Sequence, residues 1–287
     1  MTAVATTLNI SVERRRRARR SYAAWLAKSI VIAILFLFPV YWTFIVALKT
    51  PEEIFAFPPV WWPAELQFGN FLALIKDGDV IAIWHSFVIA SISTAIAMVF
   101  GCICAYSIVR FRTGGENLGI FILSQRMLPP IAVVFPIFLI YSEIGLTDTY
   151  LGLIILYTAF ALPYVVWMMR GYIEDVPVAL EEAALIDGCS RWGVIFRVVF
   201  PMVRTGLFAT TVFAFIFSWN EFLYALVLTR SEVLTFPVQI TLYFGSQSTF
   251  WAKIAAMSVL GTLPIFFAVA TLQRFLVRGL SLGAVKE

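Results

Sequence analysis

Six apolar runs, each long enough to cross a bilayer, leave this chain little alternative to a membrane-embedded helix bundle. A spanning helix needs roughly 20 mainly apolar residues. Such runs lie at about 29–48, 81–109, 118–141, 150–169, 205–229 and 254–273. Backbone groups in lipid must be paired within the protein, which admits only helices or closed barrels. The runs are continuous rather than alternating, so the expected fold class is all-α with six transmembrane helices. Composition agrees: 61% of residues are hydrophobic and 13% charged, where an ordinary soluble domain carries about 25% charge. The mean hydropathy is +0.90.

Arginine and lysine near the span ends set the expected orientation. They cluster in the N-terminal tail (Arg14 to Arg17, Arg19, Arg20), after the second run (Arg110, Arg112), between the fourth and fifth (Arg170, Arg191, Arg197, Arg204) and after the sixth (Arg274, Arg278). The opposite side holds only Lys49, Lys76, Arg230 and Lys253. Both termini are therefore expected in the cytoplasm, and the net charge of +4 reads as topology, with no nucleic-acid partner. The first run is long for a signal-peptide core and no small-residue cleavage pattern follows it, so it reads as an uncleaved span.

Four parts follow: a basic cytoplasmic tail, 1–28; a first span and external loop, 29–79; a compact five-helix unit, 80–274; and a cytoplasmic tail, 275–287. The external loop carries Pro51, Pro58, Pro59 and Pro63 around Trp61 and Trp62, with a short interfacial helix expected near 70–75. Prolines inside the spans, among them Pro129, Pro130, Pro136, Pro163 and Pro264, invite kinks. The three cysteines form no disulfide framework. Cys102 and Cys104, two apart on a helix, diverge, so no metal site is expected. The single His85, at the outer start of the second run, reads as an interfacial residue rather than a ligand.

A polar segment at 174–201 interrupts this pattern. Asp175 is a candidate N-cap and Pro177 suits a first helical turn. Glu174, Asp175 and Glu181 put negative charge at the positive end of the helix dipole. Ala179, Ala183 and Ile186 form a narrow stripe of period 3.6. Gly188 can take the left-handed conformation that stops the helix. Ser190 can cap a second helix, which Pro201 limits. Such a helix–turn–helix is either a plain connection between spans or a docking element for another protein.

The spacing within it carries a family resemblance. Glu182-Ala183-Ala184, three residues, Gly188, nine residues, then Val198-x-Phe200-Pro201 resembles the EAA loop of ABC importer permeases, with Val and Phe where that pattern has Ile and Leu. Phe217-Ser218-Trp219-Asn220-Glu221-Phe222, Arg126-Met127-x-Pro129-Pro130 and the ending Gly279 to Lys286 are similar to carbohydrate importer permeases, of the maltose-type subunit that lacks a large external insertion. The likeness runs over about 22–287. It implies the type I importer permease fold in a bacterial inner membrane, with residues 80–274 as the transmembrane domain. It implies a second, different permease, two ATPase subunits and an external solute-binding protein as partners. It also assigns ATPase coupling to Glu181, Glu182, Ala183, Ala184, Asp187, Gly188 and Pro201, with Glu182 pairing with a basic group of the ATPase. No catalytic residue is expected, and ATP and Mg would be bound by the partner ATPase. The chain has no Gly-x4-Gly-Lys-Ser/Thr phosphate loop of its own.

Charges inside spans are functional candidates by default. Arg126 and Glu221 are the two cases, and with Asn220 and Trp219 they are the candidate substrate-pathway residues. Arg126 lies about 12 Å into the third run and Glu221 about 25 Å into the fifth, so a direct pair is not expected. Asn220 and Glu221 either hydrogen-bond sugar hydroxyls or only join two helices. The reading is a permease of an ATP-driven sugar or polyol importer. The alternatives are an importer of another solute, such as glycerol phosphate, and a secondary transporter, which lacks support from any inverted repeat.

Overall fold

The computed structural model describes the backbone of residues 2–115, 117–244 and 249–283, and the side chains of 22–115, 117–244 and 250–271. The arginines of the N-terminal tail and the C-terminal ending at 279–287 lie outside the described side chains. Among the described residues every regular element is helical. The chain opens with α1 (Thr2–Ala47), the short α2 (Pro51–Ile54), α3 (Gly69–Lys76) and α4 (Ile81–Phe111). It continues through α5 (Asn117–Ser124), α6 (Pro130–Glu143) and α7 (Tyr150–Glu174). The polar segment forms α8 (Val178–Ile186), α9 (Arg191–Val194) and α10 (Phe200–Met202). The last third holds α11 (Arg204–Trp219), α12 (Leu223–Leu228), α13 (Phe236–Leu242) and α14 (Thr249–Gly283).

Among the described residues four helical stretches are long and apolar enough to cross a membrane: Tyr22–Ala47, Ile81–Phe111, Tyr150–Glu174 and Phe250–Thr271. Counting two sharply bent pairs as one span each raises the number to six. The third run bends where its prolines invited a kink, and the second bent pair joins Arg191–Met202 to Arg204–Trp219 at the start of the fifth run. The bend of the third run, 88°, lies between Asn117–Met127 and Pro130–Glu143. Leu128 and Pro129 are both extended there, because a residue before proline is pushed out of the helical region and Leu128 and Pro129 each precede one. Helix resumes with Pro130 in its first turn, where a missing N–H costs nothing. The fifth run stops at Trp219, and α11 alone, at about 24 Å, falls short of a 30 Å hydrocarbon core. Asn220 ends it by donating from Nδ2 to the Ile216 carbonyl. Glu221 then starts α12, its two carboxylate oxygens accepting from the backbone N–H groups of Tyr224 (3.2 Å) and Ala225 (3.3 Å).

The bundle is centred on α4 and α7, whose contact is the most extensive between any two elements. Small residues let them approach: Ala97, Ala105 and Ala161 are buried with Val165, Val166 and Met169. At Gly101 an added Cβ would lie 2.5 Å from Val165 Cγ1. Helix α11 packs on α4, α7 and α14, while α1 lies on α14 and otherwise shows broad apolar surface, Phe36 being 74% exposed. Such a surface suits lipid or another subunit.

On the side away from the polar segment, Asp148 ties two loops together. It sits at φ 55°, a conformation that Asp tolerates better than most residues. Its carboxylate accepts four successive backbone N–H groups, from Arg230, Ser231, Glu232 and Val233, at 3.0–3.1 Å. Partial burial pushes this carboxyl upward, but the donors at Ser231, Glu232, Arg230 and Val233 outweigh it and hold it below the usual aspartate value.

Replacing Gly101 by leucine should force α4 and α7 apart and cost about 1–3 kcal/mol, read as a lower thermal midpoint of the purified protein in detergent. A lowered native-state carboxyl stabilises the fold above the unfolded-state value and loses that contribution as pH falls through the native one. Asp148→Asn should therefore be less stable than wild type at pH 7, and the gap should close as pH drops below about 4. A gap that stays constant down to pH 3 would contradict the role given to the carboxylate.

Candidate functional site

The polar segment folds into a helical elbow standing off the end of the bundle. Its first helix begins after Pro177, which is itself the extended N-cap residue. Asp175, expected as the cap, instead closes α7, because the chain must straighten ahead of the proline ring. Gly188 ends α8 at φ +88°, as its spacing implied. The Ser190 hydroxyl accepts from the Gly193 N–H at 3.1 Å and starts α9. Residues Ile195–Val199 form a π-helical turn ahead of Pro201, and the helix then bends by 82° into α11.

The two adjacent glutamates of α8 have opposite fates. Glu181 points into the protein and is 5% exposed. Its Oε1 accepts from Arg110 Nε at 2.6 Å and its Oε2 from the Tyr106 hydroxyl at 2.7 Å. Arg110 also donates from Nη2 to the carbonyls of Ile173 (2.9 Å) and Val176 (2.7 Å) at the end of α7. One guanidinium thus binds α4, the end of α7 and the elbow helix. Glu181, grouped by resemblance with the coupling residues, is therefore turned away from any docking partner. Glu182, Ala183, Asp187, Gly188 and Pro201 are exposed, and Ala184 is half-buried against the core. The elbow's exposed surface is apolar as well as acidic: Ile186 is 86% exposed, and Trp192 and Phe196 after the turn are also exposed.

Sequence reasoning missed Arg110 and Tyr106. Arg110 counted only as a topology charge. Its spacing of four from Tyr106, which places both on one face of α4, was the available signal.

The bent third and fifth runs meet at a second site. Arg126 and Glu221 line one cavity of about 310 Å³, together with Phe160, Tyr164, Phe217 and Tyr224. Their expected difference in depth vanishes because neither run is straight there. The Arg126 guanidinium carbon lies 4.2 Å from the Phe217 ring centroid and 4.3 Å from that of Tyr164. Phe160 stacks on Tyr224 with centroids 4.5 Å apart. The other two pathway candidates fall elsewhere. Trp219 is 1% exposed, donates from Nε1 to the Gly261 carbonyl at 3.1 Å and packs on Phe215 and Phe236. It is a core residue, because its large ring fills the joint between α11, α13 and α14. Asn220 is exposed at the end of α11, bonded to its own helix.

Membrane-length apolar helices with a polar helical elbow at one end of the bundle are the architecture of a membrane transport component. The chain belongs to the family described as binding-protein-dependent transport system inner membrane component, whose model matches residues 97–282. It is 35% identical over 275 residues to the trehalose transport system permease protein SugB of Mycobacterium tuberculosis, covering 94% of this chain and 99% of that one. It is 32% identical to the sulfoquinovosyl glycerol transport system permease protein SmoH of Agrobacterium fabrum, covering 87% and 89%. It is 31% identical to the trehalose/maltose transport system permease protein MalG of Thermococcus litoralis, covering 90% and 94%. Its fold matches a chain in the crystal structure of a bacterial ABC transporter involved in the import of the acidic polysaccharide alginate, with a TM-score of 0.69 at 22% identity, covering 90% and 97%. The chain is thus an ABC transporter permease, a multi-pass inner membrane component that works with ATPase and solute-binding partners, and not an enzyme.

Breaking the buried pair should be far more costly than removing its exposed neighbour. Glu181→Ala leaves Arg110 charged and buried and should cost about 3–5 kcal/mol, whereas Glu182→Ala should stay within about 0.5 kcal/mol of wild type. Thermal unfolding of the two variants in the same detergent checks this, and equal midpoints would refute it.

Proposed function

We propose that the chain is one permease of a heterodimeric sugar importer in a bacterial cytoplasmic membrane. A binding protein delivers substrate from outside and two ATPase subunits, which hold ATP and Mg, drive the cycle. The observation that carries this reading is the elbow at 178–202. It combines an exposed acidic and apolar face with a buried ionic anchor, on the spacing that marks ATPase docking in the family. The carbohydrate class is supported by relatives whose names state trehalose, maltose and sulfoquinovosyl glycerol transport.

In this mechanism Glu182, with Ala183, Asp187 and Gly188, seats in a cleft of an ATPase subunit. Closure of the ATPase pair on ATP displaces α8. The displacement reaches the bundle by two routes: through Arg110 to the end of α4, and through the helix over 191–202 to α11. Helix α11 carries Phe217 at the substrate path and α4 packs against α7 and α11, which both line it, so movement of the elbow reorients the path between inward- and outward-facing forms. Ala183 permits close approach, and Gly188 holds a conformation that a side chain would strain.

Glu182→Ala and Gly188→Pro, reconstituted with the partner subunits in proteoliposomes, should each lower sugar uptake by roughly ten-fold or more, while ATP is still hydrolysed. Proline cannot adopt the φ of +88° found at Gly188. Wild-type uptake by both variants would sink the docking assignment.

A further inference from the structure

Arg126 is a half-buried cation lining the cavity of the second site, and the described residues offer it no acceptor. Among the described residues no hydrogen bond or ion pair engages its guanidinium; its neighbours are the ring faces of Tyr164, Phe217 and, at 5.7 Å, Phe160. Ring faces return only part of the hydration that an arginine loses in a membrane. Glu221 shares the cavity, but its carboxylate is taken up by the start of α12 and lies against the Tyr157 hydroxyl. Among the described residues the Tyr224 hydroxyl is buried with no partner. Two polar groups with free hydrogen-bonding capacity, Arg126 and Tyr224, and an aromatic wall therefore line a cavity of about 310 Å³, the small end of the range for ligand cavities.

We propose that this cavity is a saccharide subsite, through which the present subunit itself contacts the transported sugar. The inference rests on the sugar-importer reading. A pyranose ring offers what the cavity lacks. Its hydroxyl and ring oxygens accept from Arg126 and Tyr224, and an apolar C–H face lies against aromatic rings. One positive and one negative side chain in the same space favour an uncharged glycosyl unit over an anionic one. The site also explains the two helix breaks. Both 128–129 and 220–222 leave the helical path beside this cavity, and irregular backbone at membrane depth is tolerated only where it is buried in protein or lines a cavity.

The test uses the complete importer, with both permeases, the ATPases and the binding protein, in proteoliposomes supplied with radiolabelled trehalose or maltose. Tyr224→Phe removes one hydroxyl that has no protein partner and keeps the stack on Phe160. It should assemble normally, retain ATP hydrolysis stimulated by the loaded binding protein, and lower uptake by about 2- to 10-fold. Arg126→Gln should lower uptake by about 10-fold or more with stimulated hydrolysis again retained. If Arg126 instead pairs with a carboxylate of the second permease, Arg126→Gln weakens assembly and Tyr224→Phe transports as wild type, which overturns the proposal. Wild-type uptake by both variants overturns it as well and leaves the importer reading intact. A wild-type importer that takes up neither sugar removes both.

Discussion

The structure depends most on the buried contact of Arg110 with Glu181. A membrane bundle offers little to hold a short polar helix at its edge, since α8 has nine residues and a helix of that length is marginal in water alone. Two charged hydrogen bonds to Glu181 and two more from Arg110 to α7 carbonyls fix it where packing alone is thin. The pair is 10% and 7% exposed, so its worth lies in specificity of position more than in net stabilisation, because desolvation offsets much of the attraction. It also makes the elbow a rigid lever: α8 cannot shift without moving α4, α7 or both.

The same logic appears where the helices break. Lipid tolerates no unpaired backbone group, so a discontinuity must supply its own partners. Glu221 does so by capping α12, and Asn220 by closing α11. At the third run two prolines remove donors rather than satisfy them. The result is a pair of half-helices around a cavity whose arginine has no partner among the described residues, inside a bundle whose other principal helices are continuous. On the side away from the elbow Asp148 satisfies four N–H groups of a turn that would otherwise be left open. At Asn220, Glu221 and Asp148 a polar side chain stands in for a turn of regular structure.

Much of this was legible in the residues. The elbow with its glycine stop, the Ser190 cap and the short α3 follow from local rules of spacing and capping. The membrane class follows from run lengths. The bend of the third run was legible in Pro129 and Pro130; the break in the fifth was not, since hydropathy averages over a window and does not register that Asn220-Glu221 ends a helix. Trp219 stood among the pathway candidates because a tryptophan beside polar residues has no sequence mark that separates a sugar platform from a core joint. Arg110 was undervalued because its partner lies 71 positions away.

The sequence by itself determined that the chain is a bundle of membrane helices carrying a polar helical elbow, because periodicity, run length, caps and motif spacing are properties of neighbouring residues. Tertiary structure alone decided which glutamate faces outward. It also decided that Arg126 and Glu221 share a cavity. Both outcomes depend on how bent helices pack against one another, and contacts across such distances in the chain leave no local trace.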